Sequence, residues 1–254
     1  MPWVETTSLS FTARHEASHT EDAEEVLEAL EEQRNRLEEL FPRIPGNVTV
    51  VLHDSAVQLG LSQPYLPVAR RLASPPARRY MAGWFAAGEV HVLAPQVLRR
   101  AAAGQDSLDA LKRTPQRAYT LLLVGENNPA LPPPFRPGNV SRLLRNAWLA
   151  EGAAQHFSGQ VPFLRAAIAT RLRRGRVDCP PSPRDAGILA GALFDLLERD
   201  RGPQACVGLA RHTLSQGSGA ALQDAFDQPA KEVERRFRAH LERLGAPAPT
   251  TTLR

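Results

Sequence analysis

Residues 115–124 constrain the fold most strongly, because their side chains are apolar on nearly every side of a short helix. Thr114 and Pro115 are typical of a helix start, with a hydroxyl for the N-cap and proline at the first helical position. After the first turn only one tyrosine and one threonine carry polar groups, and Gly125 is predicted to end the helix. A helix without a polar face has to be buried, so other elements must enclose it.

The order of the other patterns predicts an α+β fold. Residues 7–13 alternate polar and apolar side chains, and residues 47–53 and 89–93 are rich in valine, so all three are predicted strands. Residues 20–40 carry an apolar stripe at helical spacing. Strands with helices first and helices alone later indicate a small N-terminal sheet followed by an all-helical lobe. The other predicted helices span residues 95–103, 106–112, 163–174, 186–198, 203–215, 220–226 and 229–244.

These patterns divide the chain into two predicted lobes. Residues 1–125 form the α+β lobe, which ends in the buried helix, and residues 126–244 form the helical lobe. Residues 245–254 are a polar tail that is predicted to be disordered. Residues 54–88 are rich in proline, alanine and arginine and are predicted to be irregular. The aromatic residues of this segment expected to pack on the sheet are Tyr80, Trp84 and Phe85.

Composition is that of an ordinary globular protein. Of 254 residues, 43% are hydrophobic and 23% charged, and the formal net charge is +4. No apolar run approaches the roughly 20 residues of a membrane-spanning helix, and the first residues lack the apolar core of a secretory signal. Cys179 and Cys206 are isolated, which argues against a disulfide or a cysteine-based zinc site. We therefore expect a cytoplasmic protein with inert thiols and no membrane span.

Residues 15–19 read His-Glu-Ala-Ser-His, which is the spacing of the H-E-x-x-H zinc motif. The motif works only within a helix, where positions i and i+4 share one face. Ser18 and Glu21 have the spacing of a capping box, so the helix should begin between the two histidines. His15 is then expected before the helix and His19 in its first turn, on a solvated connection. No zinc site is predicted here.

Residues 148–152 carry the most specific motif of the chain, Trp-Leu-Ala-Glu-Gly. It resembles the W-L-x-E-G segment of gluzincin metallopeptidases, the peptidase MA-like group, in which the glutamate is the third zinc ligand. Weaker likenesses near both ends extend the resemblance over most of the chain. The resemblance implies a zincin-like fold and gives Glu151 the ligand position. The helix that bears Glu151 is predicted to be capped by Asn139 or Ser141.

The same resemblance assigns the family's catalytic helix, which carries H-E-x-x-H, to the buried helix described above. Arg117 then stands at the first histidine, Ala118 at the catalytic glutamate and Leu121 at the second histidine. An alternative register with Glu126 as the catalytic acid would put an Asn-Asn-Pro sequence inside a buried helix, and is disfavoured. Both registers lack the two histidines, so Glu151 is the one family ligand retained.

This set of side chains predicts the loss of the zinc ion expected for the family. Zinc hydrolysis needs about three protein ligands and a base, whereas here one carboxylate remains and Arg117 adds a positive charge. We therefore predict a catalytically inactive pseudoenzyme that binds a peptide or protein in the former active-site groove. Arg117 and Glu151 are expected to form an ion pair with Leu121 packed beneath. In the competing arrangement, Glu151 points to solvent and Arg117 pairs elsewhere.

Two other functions remain open. An active metal-dependent hydrolase would need a non-standard ligand set such as His53 or His91 with Glu151, although histidines among apolar strand residues are more often structural. His156 is rotated away from Glu151 and is predicted to be hydrogen-bonded or at the surface. A weak anion or nucleic-acid binder would use a basic cluster that lacks interleaved aromatic residues, so a solvated helix face is favoured. The cluster comprises Arg165, Arg171, Arg173, Arg174 and Arg176.

Overall fold

A computed structural model of the chain describes residues 3–86, 88–131 and 140–246. Within these ranges the N-terminal half contains one mixed sheet with the strand order β1-β2-β3-β5-β4. The three inner strands are parallel, whereas the two outer strands each run antiparallel to their neighbour. The strands are β1 (Trp3–Thr7), β2 (Phe11–Glu16), β3 (Val48–His53), β4 (Gly83–Ala86) and β5 (Glu89–Leu93).

Helices follow and surround this sheet. The N-terminal half contains α1 (Thr20–Glu38), α2 (Ala56–Ser62), α3 (Tyr65–Leu72), α4 (Pro75–Arg78), α5 (Pro95–Ala101), α6 (Gln105–Lys112) and α7 (Thr114–Asn127). The second half contains α8 (Val140–Arg145), α9 (Ala147–Phe157), α10 (Arg165–Leu172), α11 (Ala186–Arg201), α12 (Pro203–Ala210), α13 (Ser218–Phe226) and α14 (Ala230–Gly245). No helix in the described ranges is both long enough and apolar enough to cross a bilayer.

The predicted fold class is confirmed as α+β, with a small N-terminal sheet followed by helices. One hydrophobic core runs through both halves of the chain. α1 packs against β1 and β2, α7 packs against β4 and β5, and the two helices contact each other. They therefore cover the same face of the sheet. The other side of α7 packs against α9, so α7 lies between the sheet and the helical half.

The predicted burial of the central helix is confirmed, and its start lies within one residue of the predicted Pro115, but the predicted cap and the predicted end are wrong. Almost every residue of α7 from Thr114 to Gly125 is buried. The Thr114 hydroxyl does not cap α7, because it donates instead to the Leu111 carbonyl of the preceding helix at 2.6 Å. Gly125 does not end the helix, which continues to Asn127. Gly125 has no positive φ, so its backbone continues the helix as any other residue would.

The region between β3 and β5 is the largest departure from the sequence prediction. Residues 54–88 were predicted to be irregular, yet the described part of this segment contains α2, α3, α4 and strand β4. The first predicted strand, residues 7–13, is partly right, because residues 11–13 belong to β2, whereas residues 8–10 form the turn between β1 and β2. Elements this short are stabilised by tertiary packing, and their sequence periodicity is correspondingly weak.

In the second half most predicted helices are present, with shifted boundaries. The helix bearing Glu151 is α9, and a separate helix α8 precedes it, so Ser141 lies inside α8 and caps nothing. Asn139 lies outside the described residues. The helix predicted from 203 to 215 ends at Ala210. Of the predicted tail, Gly245 belongs to α14, and residues 247–254 lie outside the description.

Candidate functional site

Arg117 of α7 and Glu151 of α9 form an ion pair, as predicted. A guanidinium nitrogen, Nη2 of Arg117, donates a hydrogen bond to Oε2 of Glu151. The Arg117 side chain is 9% exposed and that of Glu151 is 24% exposed, so the pair lies at the edge of the interior. Ala118 and Leu121 on the same helix are buried. The four positions assigned by the gluzincin resemblance thus hold a charge pair and two apolar side chains.

Close packing between α9 and α11 fixes the position of Glu151. Gly152 leaves no room for a side chain, because an added Cβ would lie 2.7 Å from Cε2 of Phe194. One turn later, the buried Gln155 side chain accepts a hydrogen bond from the Gly191 amide at 3.0 Å and donates one to the Ala186 carbonyl at 2.8 Å. These contacts fix the position of α9 along α11. Glu151 therefore faces α7.

α7 is held equally closely to the sheet. An added Cβ at Gly83, the first residue of β4, would lie 2.6 Å from the Thr114 methyl carbon and 2.8 Å from the His91 carbonyl oxygen. The start of α7 therefore touches the outermost strand of the sheet. Because β4 is an edge strand, one of its sides carries no neighbouring strand in the described part of the chain.

The register of β4 shows which backbone groups face this open side. The Leu93 amide donates to the Ala82 carbonyl at 3.0 Å, so alternate residues from Ala82 onward turn their backbone groups toward β5. Phe85 lies at the intervening position, and its N–H and C=O point away from β5. Neither group has a backbone partner outside the sheet among the residues described. The sequence prediction missed this feature, for which the short Gly-Trp-Phe-Ala run was the available signal.

The donors at the Arg117–Glu151 site do not suit zinc. Zinc in proteins is held by thiolate, imidazole and carboxylate groups, commonly three or four of them. Glu151 is the single such group among the four assigned positions, and its carboxylate already accepts the Arg117 hydrogen bond. Within the described ranges no three His, Cys, Asp or Glu side chains converge as a metal-binding group.

The two histidines of residues 15–19 are buried, and the expected solvated connection is wrong. His15 belongs to β2, where its ring bonds the Thr6 hydroxyl and the Glu16 carbonyl, both at 2.8 Å. His19 ends a 3-10 turn, and no capping box forms, because no side chain caps either this turn or α1. The two rings bond different partners, so the motif does not form a metal site.

His19 is held between two carboxylates. Its Nδ1 lies 2.9 Å from Asp22, and its Nε2 contacts Asp54. Burial alone would lower the pKa of His19, but the hydrogen bonds that the ring makes to the Asp22 and Asp54 carboxylates outweigh burial and raise the pKa above its usual value. This arrangement joins the start of α1 to the end of β3, and we interpret it as structural.

His53 and His91 form a stacked pair on neighbouring strands and do not join Glu151. Their ring centroids lie 5.3 Å apart, and Nε2 of His53 lies 3.1 Å from Nδ1 of His91. Burial lowers the pKa of His53 to about 4, with a further contribution from His91. Burial also lowers the pKa of His91, against the opposing effect of Glu89. The ligand set required for an unconventional hydrolase is therefore not assembled in the described residues.

His156 belongs to α9, and its side chain packs inside the protein rather than at the surface. Its ring lies 5.0 Å from the Phe157 centroid and 6.0 Å from the Phe194 centroid. Burial lowers the pKa of His156, although Glu198, 3.8 Å away, opposes that shift. The ring faces the α11 side of α9 and contributes packing.

The predicted basic cluster is partly used for structure. Arg171 donates to the buried Asp185 carboxylate at 2.7 Å and to two carbonyls of the following turn. Arg176 pairs with Glu234 at 3.2 Å. Arg165 and Arg174 are exposed and form no ion pair in the described part of the chain. Arg171 and Arg176 are therefore engaged by other groups of the protein.

A comparison of the sequence with protein-family models and with curated proteins finds no match. The gluzincin resemblance thus rests on the Trp-Leu-Ala-Glu-Gly segment and on the residues aligned with it.

Proposed function

We propose that this chain is a cytoplasmic, catalytically inactive relative of gluzincin peptidases, and that it binds an extended peptide without cutting it. The observation that carries the proposal is the Arg117–Glu151 ion pair, which occupies the positions that the resemblance assigns to metal ligands. A guanidinium cannot replace an imidazole as a ligand, because it has no free lone pair to donate.

The arrangement of the sheet supports a peptide-binding role. β4 is an uncharged edge strand, and the start of α7 packs directly against it. Unpaired backbone groups on an edge strand can add a further strand from a partner, which gives affinity through main-chain hydrogen bonds. The outward-facing N–H and C=O of Phe85 are the groups available for such pairing. An added peptide would then run alongside the former active-site helix.

Metal analysis tests the loss of the zinc site. We expect the wild-type protein, purified without chelators and dialysed against zinc, to retain no stoichiometric zinc and to hydrolyse no casein. The triple variant Arg117→His, Ala118→Glu, Leu121→His restores the motif on α7 opposite Glu151. We expect it to retain about one zinc per chain.

The matched control adds Glu151→Gln to the triple variant and should weaken zinc binding by at least about tenfold. Stoichiometric zinc in the wild-type protein, or chelator-sensitive proteolysis by it, would contradict the proposal. A triple variant that folds but takes up no zinc would show that α7 and α9 do not form the inherited site.

Substitutions at Phe85 test the edge strand. Phe85→Pro removes the outward-facing N–H and leaves the hydrogen bonds to β5 intact, because proline is tolerated at an outward edge position. We expect Phe85→Pro to abolish the saturable binding of a fluorescein-labelled pool of random decapeptides. Phe85→Ala retains the N–H. Its affinity for the peptide pool should be within about threefold of the wild-type affinity.

Trp84→Pro serves as the folding control, since it breaks the ladder to β5 and should lower the melting temperature. Equal peptide binding by the proline and alanine variants at position 85 would refute strand addition. Absence of saturable binding of any peptide in the pool by the wild type would refute the binding role.

A further inference from the structure

One cavity in the described part of the protein lies away from the Arg117–Glu151 pair. It has a volume of about 530 Å³ and lies between α4, the start of α6 and α10. None of its lining residues belongs to α7, α9 or β4. This volume is within the range of roughly 300–1,000 Å³ that is typical of small-molecule sites. An inference about this cavity is therefore independent of the proposed peptide-binding role.

Two exposed arginines that line the cavity have no anionic partner among the described residues. Arg79 follows α4 and Arg174 follows α10, and both line the cavity. Neither side chain forms a hydrogen bond or an ion pair with any other described residue. By contrast, the nearby Arg171 and Arg176 are paired with Asp185 and Glu234. The cavity is thus lined by two arginines that form no ion pair.

The N-terminus of α6 adds neutral donors to the same cavity. Gln105, Asp106 and Ser107 form its first turn and line the cavity, and their backbone N–H groups have no acceptor among the described residues. No side chain caps this helix, and its N-cap is Gly104 with φ 114°. Ser107 is buried at 7% exposure, and its hydroxyl oxygen is inaccessible and has no hydrogen-bond partner in the residues described.

Apolar side chains form the remaining walls. Pro75 and Pro76 come from the first turn of α4, Tyr80 follows that helix, and Ala166 and Ala167 come from α10. An uncapped helix N-terminus with arginines nearby is suited to bind a phosphate group. The apolar walls are suited to bind an organic moiety attached to that group.

We propose that this cavity binds a small phosphate monoester, with the phosphate between Arg79, Arg174 and the first turn of α6 and the organic part against Tyr80 and the prolines. One carboxylate, Asp106, also lines the cavity and opposes an anion. The two arginines exceed it by one charge, so the cavity remains net positive.

Titration with inorganic phosphate, phenyl phosphate and benzoate tests the site. Binding is followed by calorimetry and by ¹⁵N NMR of the full-length protein. We expect phenyl phosphate to bind saturably with one site per chain, more tightly than inorganic phosphate. The largest amide shifts should fall on residues 104–107. Benzoate separates a phosphate site from a carboxylate site and should bind at least about tenfold more weakly than phenyl phosphate.

Single substitutions locate the charges. Arg79→Ala and Arg174→Ala should each weaken the binding of phenyl phosphate by about tenfold or more. Asp106→Asn should strengthen it by about two- to fivefold, because it removes a repelling charge at the helix N-terminus. The matched control is Arg211→Ala, which removes an exposed arginine after α12 and should leave the affinity unchanged.

Several results would overturn the proposal. One is the absence of saturable binding of both phosphates below about 10 mM. Equal losses in Arg211→Ala and Arg79→Ala would indicate general charge attraction. Amide shifts centred outside residues 104–107 would place the ligand elsewhere. Benzoate that binds as tightly as phenyl phosphate would overturn the assignment of a phosphate group.

Discussion

Gly152 lies directly against the ring of Phe194. A Cβ atom at position 152 would lie 2.8 Å from Cδ2 of that ring and 2.9 Å from the Ala190 carbonyl oxygen, closer than real Cβ contacts. No other residue fits there unless α9 and α11 separate. The glycine of the Trp-Leu-Ala-Glu-Gly segment therefore sets the position of the preceding Glu151 relative to α7.

Gly152→Ala should destabilise the protein by about 1–3 kcal/mol through overpacking. This loss should outweigh the gain of about 1 kcal/mol that alanine normally brings to a helix interior. The control is Gly208→Ala in α12, where an added Cβ meets nothing within 4 Å, so a small stabilisation is expected. Urea unfolding of the three proteins measures both effects. A Gly152→Ala protein as stable as Gly208→Ala would show that the contact with Phe194 is not tight.

A double-mutant cycle should detect the energy of the Arg117–Glu151 pair. Arg117→Leu and Glu151→Leu each leave one charge without its partner, and each should reduce the free energy of unfolding by about 2–3 kcal/mol. The double variant should lose less than the sum of the two, with a coupling energy of about 1–3 kcal/mol. Chemical denaturation at low and high salt measures this coupling. A value near zero would mean that the two side chains act independently.

The stability of the protein should fall as the pH decreases from about 6.5 to 4. Burial, assisted by His91, lowers the pKa of His53 to about 4, so the unfolded chain binds a proton in this range that the folded chain does not. Stability from this group is therefore complete above the unfolded pKa and is lost on acidification. The loss should be on the order of 2–3 kcal/mol by pH 4. His53→Gln should show a shallower decline between these pH values, and an unchanged slope would argue against a neutral His53.

Both thiols should be unreactive in the folded protein. Burial raises the pKa of Cys179 to about 12 and that of Cys206 to about 12, and Sγ of Cys206 also donates to the Phe194 carbonyl at 3.3 Å. A thiolate is the reactive species, so Ellman's reagent at pH 8 should release almost no chromophore from the native chain. In guanidinium chloride it should report two thiols per chain. Rapid release of one equivalent from the native protein would mean that one cysteine is accessible.

The sequence predicted the structure best in two cases: where a hydrophobic pattern was long, and where a group of side chains could not be exposed to solvent. The stripe of α1 and the apolar surface of α7 both predicted their elements and their burial. The pairing of Arg117 with Glu151 followed from the cost of leaving either charge alone in an apolar setting.

Prediction failed where a non-local partner decides the local structure. His15 is buried because β1 pairs with β2 and brings Thr6 to its ring, and that pairing is not visible in residues 15–19 themselves. The Thr114 hydroxyl could either cap α7 or donate a hydrogen bond to the preceding helix. The nearby Leu111 carbonyl accepts that hydrogen bond, so the cap does not form. The short helices α2, α3 and α4 have too few turns for a clear periodicity.

The two edges of the sheet differ in charge. β1 carries Glu5 at its centre, where it pairs with Arg14, whereas β4 reads Gly-Trp-Phe-Ala and carries no charge. Charged edges resist the pairing of strands between molecules. Two copies of this protein that met through their sheets would therefore join β4 to β4, and such a contact has twofold symmetry and closes on itself. The sheet can in this way accept one partner strand without growing into an open fibre.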